Sequence, residues 1–282
     1  MSQQKTGFTA MRHKRKIINN ALIILSVFAA GLLFQLTDIY AKEFSPDIND
    51  LITAYPNHIS NTDGNYIIWK DGTKMPFDDG KKGKTFEELL RDADLEDQLS
   101  LKYPAGGAID TAPAENFDPG RFRYEPLFKK MYGNSKKAVE KNLVTIEWMP
   151  KSVKRKVRFS KVNNAHLALK KVSDDLDRLP DGFKKYVTHI SGTYNWRNIA
   201  GTNRISTHSF GISIDINVKL SHYWYWTKPD KSGKYPYKNG IPLEIISIFE
   251  KHGFIWGGRW YHYDTMHFEY RPELFIDASR VK

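Results

Sequence analysis

The sequence predicts an α+β fold with a small, mainly antiparallel sheet and flanking helices, preceded by an irregular N-terminal section. Three observations carry this. Phe210, Ile212, Ile214, Ile216 and Val218 alternate with Gly211, Ser213, Asp215, Asn217 and Lys219. That period of two marks a strand with one apolar face. Ala165, Leu169, Val172, Leu176 and Leu179 recur at helical spacing and stop at Pro180, so an amphipathic helix precedes the strand. The segments around the strands are irregular rather than regular helical crossovers, which favours an antiparallel sheet.

Residues 1–41 read as an export segment. Arg12-His13-Lys14-Arg15-Lys16 precedes an apolar run from Ile17 to Leu36, broken only by Asn19, Asn20, Ser26 and Gln35. A basic stretch followed by an apolar one is the pattern of a secretory signal, and Ile39-Tyr40-Ala41 offers a cleavage site. The run is also long enough to span a bilayer as an uncleaved anchor. Both readings place the rest of the chain outside the cytoplasm, in the periplasm or cell envelope, with residues 17–36 engaging the membrane during export or as an inner-membrane anchor.

Residues 42–160 form an N-terminal annex of open role. Tyr66-Ile67-Ile68-Trp69 followed by Asp71-Gly72 predicts a hairpin. Thr85 to Leu101 predicts a helix capped by Thr85 with Glu87 and Glu88 in its first turn, and Pro104 to Gly120 a loop. Lys129 to Lys161 holds eleven Lys or Arg residues, which reads as a solvated basic face or a dock for an anionic wall polymer. Residues 161–282 carry the tighter patterning. There Val187 to Gly192 predicts a strand, Pro242 opens a helix through Ile245, Ile246 and Phe249, and His267 to Tyr270 forms a last strand stopped by Pro272.

The 282 residues are 40% hydrophobic and 27% charged, with 13% aromatics and a net charge of +11. This composition excludes a disordered chain and a polytopic membrane protein. Cysteine is absent, so disulfides, thiolate metal sites and a cysteine nucleophile are excluded, and any metal needs histidine and carboxylate ligands. The basic balance attracts polyanions, but export argues against nucleic acid as a partner.

Strand parity puts Asp215 on the polar face beside Ser213 and Asn217, and a turn can swing His208 of Ser206-Thr207-His208-Ser209 onto that face. Zinc held by nitrogen and oxygen needs about three protein ligands and one open position, and His267 can supply the third. Asp264, three residues before His267, then sits where a carboxylate takes a proton from water and passes it to a leaving amine. His189, His222, His252 and His262 read as surface or packing residues, and Trp196, Trp224, Trp226, Trp256 and Trp260 as candidates to line a pocket.

These residues resemble a family. Ser206-x-His208-x-x-Gly211-x-x-x-Asp215, then Trp256-Gly257-Gly258 and Asp264-x-x-His267-Phe268-Glu269, look like the zinc peptidases of the VanY-type D-alanyl-D-alanine carboxypeptidase and L-alanyl-D-glutamate peptidase family. Ser191 to Arg197 resembles its arginine-bearing segment. The likeness covers about residues 160–272. It implies a Hedgehog/DD-peptidase-like fold, His208, Asp215 and His267 as zinc ligands, and Asp264 as catalytic base. It further implies that Arg197 contacts a substrate carbonyl or carboxylate and that Ser206 and Trp256 bind substrate or support the site. The implied partner is the stem peptide of peptidoglycan. Ser213 stands where many members have alanine, and an Asp base instead of Glu leans toward the endopeptidase-like branch. An inactive zinc-binding module that holds wall peptides, or an exported polymer-binding protein, are the alternatives from other classes.

Overall fold

The computed structural model describes residues 46–275; the expected export segment lies outside the described residues. Among those residues no helix is long and apolar enough to cross a membrane. The architecture is α+β, with three small antiparallel sheets and flanking helices.

The N-terminal section opens with α1 (Ile48–Ala54) and a three-stranded meander of β1 (Ile59–Asp63), β2 (Tyr66–Trp69) and β3 (Lys74–Pro76). Ile68 pairs with Lys74 across the expected turn. There Asp71 accepts the Thr73 amide at 3.0 Å and Gly72 adopts φ +81°, a left-handed conformation that glycine takes at little cost. The helix expected from Thr85 to Leu101 is two helices, α2 (Phe86–Asp92) and α3 (Leu95–Leu99). Local capping explains the break. Thr85 and Glu88 form one reciprocal capping box and Asp94 and Asp97 a second, with Ala93 extended between them. A good N-cap in mid-segment satisfies amide groups that a continuous helix would have paired along its own axis. Residues 104–120 contain no helix or strand, as their Pro and Gly content implies.

Next come α4 (Glu125–Tyr132), α5 (Lys136–Glu140) and the hairpin of β4 (Leu143–Trp148) with β5 (Arg155–Ser160). The periodic segment forms α6 (Ala165–Leu176), with Ala165, Leu169, Val172 and Leu176 all fully buried. After Pro180 the chain turns into α7 (Asp181–Val187). The strand expected from Val187 to Gly192 is therefore absent: Val187 lies in the last helical turn, and only Gly192 makes a bridge, to Asp215.

The third sheet has the order β6 (Ser213–Asp215), β8 (His267–Tyr270), β7 (Phe254–Trp256), all antiparallel, with β8 central. The strand expected over 210–218 shrinks to β6. Its first residue, Phe210, ends a 3-10 turn, Thr207–Phe210, and Gly211 follows at φ +68°. A Cβ on Gly211 would lie 2.5 Å from the tip of the Leu143 side chain, and the left-handed φ is one that glycine takes at little cost. Alternation still sorts the chain, since Phe210, Ile212, Ile214 and Ile216 are all buried. Helix α8 (Leu243–Lys251) packs on β7 and α6, and its Phe249 stacks on Phe268 with ring centroids 3.8 Å apart.

Residues of the N-terminal section share this core. Tyr55 donates to buried Glu273 at 2.5 Å, and Tyr103 donates to Glu250 at 2.7 Å while accepting the Trp256 amide.

Candidate active site

Register brings the polar residues together. β6 pairs with β8 so that Asp215 faces His267 and Ser213 faces Glu269. Directly opposed residues put their side chains on one face of the sheet, and residues two apart share that face. The face therefore carries Ser213, Asp215, His267 and Glu269. The 3-10 turn then delivers His208 to the same place. His208 Nε2 lies 3.2 Å from His267 Nδ1 and 3.2 Å from Asp215 Oδ2, and His267 Nδ1 lies 2.9 Å from Asp215 Oδ1.

The tautomers decide what this cluster can hold. His208 Nδ1 donates to the Thr193 carbonyl at 2.7 Å, which leaves the Nε2 lone pair facing inward. His267 Nε2 donates to Glu269 Oε1 at 3.2 Å, which leaves Nδ1 facing inward. Two nitrogen lone pairs and a carboxylate converge on one point, an arrangement that needs a cation between them. A proton is one such cation. Burial lowers the His267 pKa, but its hydrogen bonds to Asp215 and Glu269 outweigh this and push it up to about 10. A divalent metal is the other. The donor atoms lie within 4.8 Å of one another, and two imidazoles with one carboxylate suit a borderline metal such as zinc. The residues present fit that ion.

Glu269 is the functional residue that the sequence reading quoted without a role. Fully buried, it accepts from His267, from Thr207 Oγ1 at 3.0 Å, from Arg123 at 3.4 Å and from Arg271 at 3.2 Å. Burial raises its pKa, but His267 and the two arginines outweigh this and hold the carboxyl well below the usual range. Ser213 donates to Thr207 Oγ1 at 2.7 Å, so its hydroxyl belongs to a chain running Ser213, Thr207, Glu269, His267. Strand parity two residues beyond His267 was the signal that could have found Glu269.

Asp264 lies in the loop before β8. Its amide donates to the Gly257 carbonyl at 3.0 Å and it bridges to Tyr223. A Cβ on Gly257 would meet the Asp264 carbonyl oxygen at 2.5 Å, so the Trp-Gly-Gly segment is glycine there to let this loop approach. The Asp264 Oδ1 atom is buried and has no hydrogen-bond partner among the described residues. Burial pushes the carboxyl up to about 6, with Asp215 adding to the rise and His267 and Arg121 opposing it.

One cleft, with a volume of about 340 Å³, is lined by His208, Asp215, His267 and Asp264 together with Ser206 and Arg197. Arg197 is exposed at this cleft, where its guanidinium donates to the Asn198 carbonyl at 3.3 Å. Trp226 and Trp260 also line it. Trp256 does not: it is fully buried and its indole donates to the Thr265 carbonyl at 2.9 Å. Of the two roles the resemblance implied for Trp256, its place agrees with support of the 264–267 segment, to which its indole is bonded; it lines a separate cavity beside Tyr237 and Arg259. His262 and His252 are paired with Asp118 and Asp175 at 2.7 and 2.9 Å, outside the cleft lining.

Residues 200–270 match the family model of D-alanyl-D-alanine carboxypeptidases. The matched stretch contains His208, Asp215, Asp264 and His267, and the match supports a peptidase, hence a hydrolase. No curated protein and no solved structure matches the chain significantly.

Proposed function

We propose that the protein is an exported zinc peptidase that hydrolyses peptide bonds in peptidoglycan stem peptides. The observation that carries this is the convergence of His208 Nε2, His267 Nδ1 and Asp215 on one point beside Asp264, in a stretch that matches a carboxypeptidase family. The export of the chain rests on its basic and apolar N-terminus.

His208, Asp215 and His267 would hold the zinc, which when bound supplies a Lewis acid that polarises the scissile carbonyl and acidifies water. Thr193 and Glu269 keep each imidazole in the ligating tautomer. Asp264, with an unpartnered oxygen in a buried setting, takes the proton from the attacking water and returns it to the leaving amine. A carboxyl raised by burial is a better base than an exposed one and still ionises near neutral pH. Arg197 offers a guanidinium not held by a carboxylate to the negative charge that develops on the carbonyl oxygen.

The test is digestion of a defined stem peptide ending in D-Ala-D-Ala by the purified, zinc-loaded protein, with products identified by mass spectrometry. Release of D-alanine assigns a carboxypeptidase, and cleavage after L-alanine an endopeptidase. Binding with no cleavage by a protein carrying one zinc per chain would replace this reading with that of an inactive module.

A further inference from the structure

Residues 219–238 belong to the irregular connection between β6 and α8, which holds a 3-10 turn at Trp224–Trp226. Three hydrogen bonds fix this stretch to the body of the protein. The Trp224 amide donates to the Tyr263 carbonyl, the Tyr263 hydroxyl to the Pro236 carbonyl and the Tyr237 hydroxyl to the Gly258 carbonyl, each at 2.9 Å.

Between these anchors the chain shows what a folded protein ordinarily hides. Tyr225 is 73% exposed and Trp226 60%, the highest values among the exposed large hydrophobic residues described. The turn itself is the cause. At about three residues per turn, consecutive side chains point to different sides. Trp224 packs edge-on against Tyr235 and His262, with ring centroids 4.7 Å away in both cases. Tyr225 and Trp226 are left outside, where their apolar area forgoes the free energy of burial.

The two rings stand in a field of one sign. Lys219, Lys228, Lys231, Lys234 and Lys238 are all exposed, and none forms an ion pair with a described carboxylate. Asp230, the one acidic residue of the stretch, accepts the Ser232 and Lys234 amides at 2.8 and 3.1 Å and so closes a turn. Exposed tryptophan and tyrosine beside unpaired lysines is the chemistry of a membrane–water interface. There the rings sit at headgroup level, apolar on one side and wet on the other, and the ammonium groups meet anionic phosphates. A neutral sugar polymer would stack on the rings but leave the lysines without a counterpart.

We propose that residues 219–238 form a docking loop for an anionic lipid surface. Trp226 also lines the cleft, so docking holds one edge of the cleft at the bilayer. This goes beyond the peptidase reading and does not depend on it.

The chain has no cysteine, so Ser232→Cys in the full-length protein places a single environment-sensitive fluorophore among the lysines. The labelled protein is reconstituted into vesicles of phosphatidylcholine alone or of phosphatidylcholine with phosphatidylglycerol. Every sample carries the same N-terminal run, so differences between samples report the loop. Emission should shift to the blue on the anionic vesicles only, and the shift should be lost at about 1 M salt, where the Debye length is about 3 Å. With Lys228→Gln, Lys231→Gln and Lys234→Gln added, the ratio of docked to free loop should fall about 10²-fold, from about 1 kcal/mol per charge. A fluorophore at Leu167→Cys, on the exposed side of α6, should not shift. The proposal is overturned by an absent shift on anionic vesicles, or by an equal one on neutral vesicles, at Leu167→Cys or in the lysine variant. Should that variant fail to fold, the salt series with all lysines present decides, and a shift that survives salt overturns the proposal. A shift caused by soluble glycan strands and not by anionic lipid would assign the rings to sugar stacking instead.

Discussion

Two clusters of buried charge in this molecule look alike in composition and differ in where their cation comes from. In the N-terminal section, the Lys84 ammonium lies 3.1 Å from Asp79, 3.3 Å from Asp94 and 2.5 Å from Asp97, and its side chain is 6% exposed. Carboxylates around it fall into two groups, Asp78 with Asp79 and Asp94, and Asp94 with Glu96 and Asp97, each close enough to hold a metal, but the chain supplies its own cation. At the cleft, the converging atoms of His208, Asp215 and His267 are all acceptors in their ligating tautomers, and Arg123 reaches Glu269 behind them. Lysine fixed in place makes a structural ion network. An inward face of lone pairs leaves a place that a proton or a metal could fill.

This contrast can be broken most severely at the ligands. His208→Ala or His267→Ala should lose tight zinc binding, falling from about one zinc per chain, and peptidase activity should vanish with it. Metal analysis that finds full zinc in either variant would mean that the cation sits elsewhere. Lys84→Met should leave zinc content unaltered.

Asp264→Asn should keep zinc and lower turnover by about 10²–10⁴-fold. The same group should set the acid side of the pH profile. Its carboxyl, raised to about 6 without metal, must be ionised to act as base, so kcat/KM should rise as pH rises through its pKa. A bound dication would lower that pKa again, which places the limb at or below about pH 6. A limb well above that value would assign the base to another residue.

Glu269→Gln tests the layer behind the ligands. It keeps the shape but weakens acceptance from His267, so zinc affinity should drop by about 10–100-fold, as a competition titration with a chelator would show. Unchanged affinity would mean that the tautomer of His267 is set by something else.

The smallest effect on catalysis, and the largest on stability in the other cluster, belongs to Lys84→Met. Removing the shared cation leaves buried carboxylates uncompensated, and denaturant unfolding should show a loss of about 3 kcal/mol with kcat/KM unaltered. Loss of activity alongside stability would show that the two clusters are coupled.

The candidate site was legible in the chain to the extent that its residues come from local patterns. Alternation over 210–218 put Asp215 on the face opposite Ile214 and Ile216, and the structure keeps that parity although only Ser213–Asp215 is strand. The buried stripe of α6 follows the spacing from Ala165 to Leu176. Where the reading and the structure part, a local competitor prevailed over periodicity. Asp94 capped a second helix inside the 85–101 run, and the turn after Pro180 carried Val187 into a helix instead of a strand.

What the sequence determined by itself was the chemistry: which residue types occur, at which spacing, on which face of a strand. That information is local, because side-chain direction follows from backbone periodicity. Only the tertiary structure decided the neighbours. The β6–β8 register set Asp215 against His267 across 52 residues, and long-range packing brought Arg121 and Arg123 into a cleft whose other residues lie after position 196. Trp256 and Trp260 stand four residues apart with similar chemistry, yet one is buried behind the site and the other lines it. Burial and partners depend on which distant surfaces meet, and no spacing along the chain encodes that.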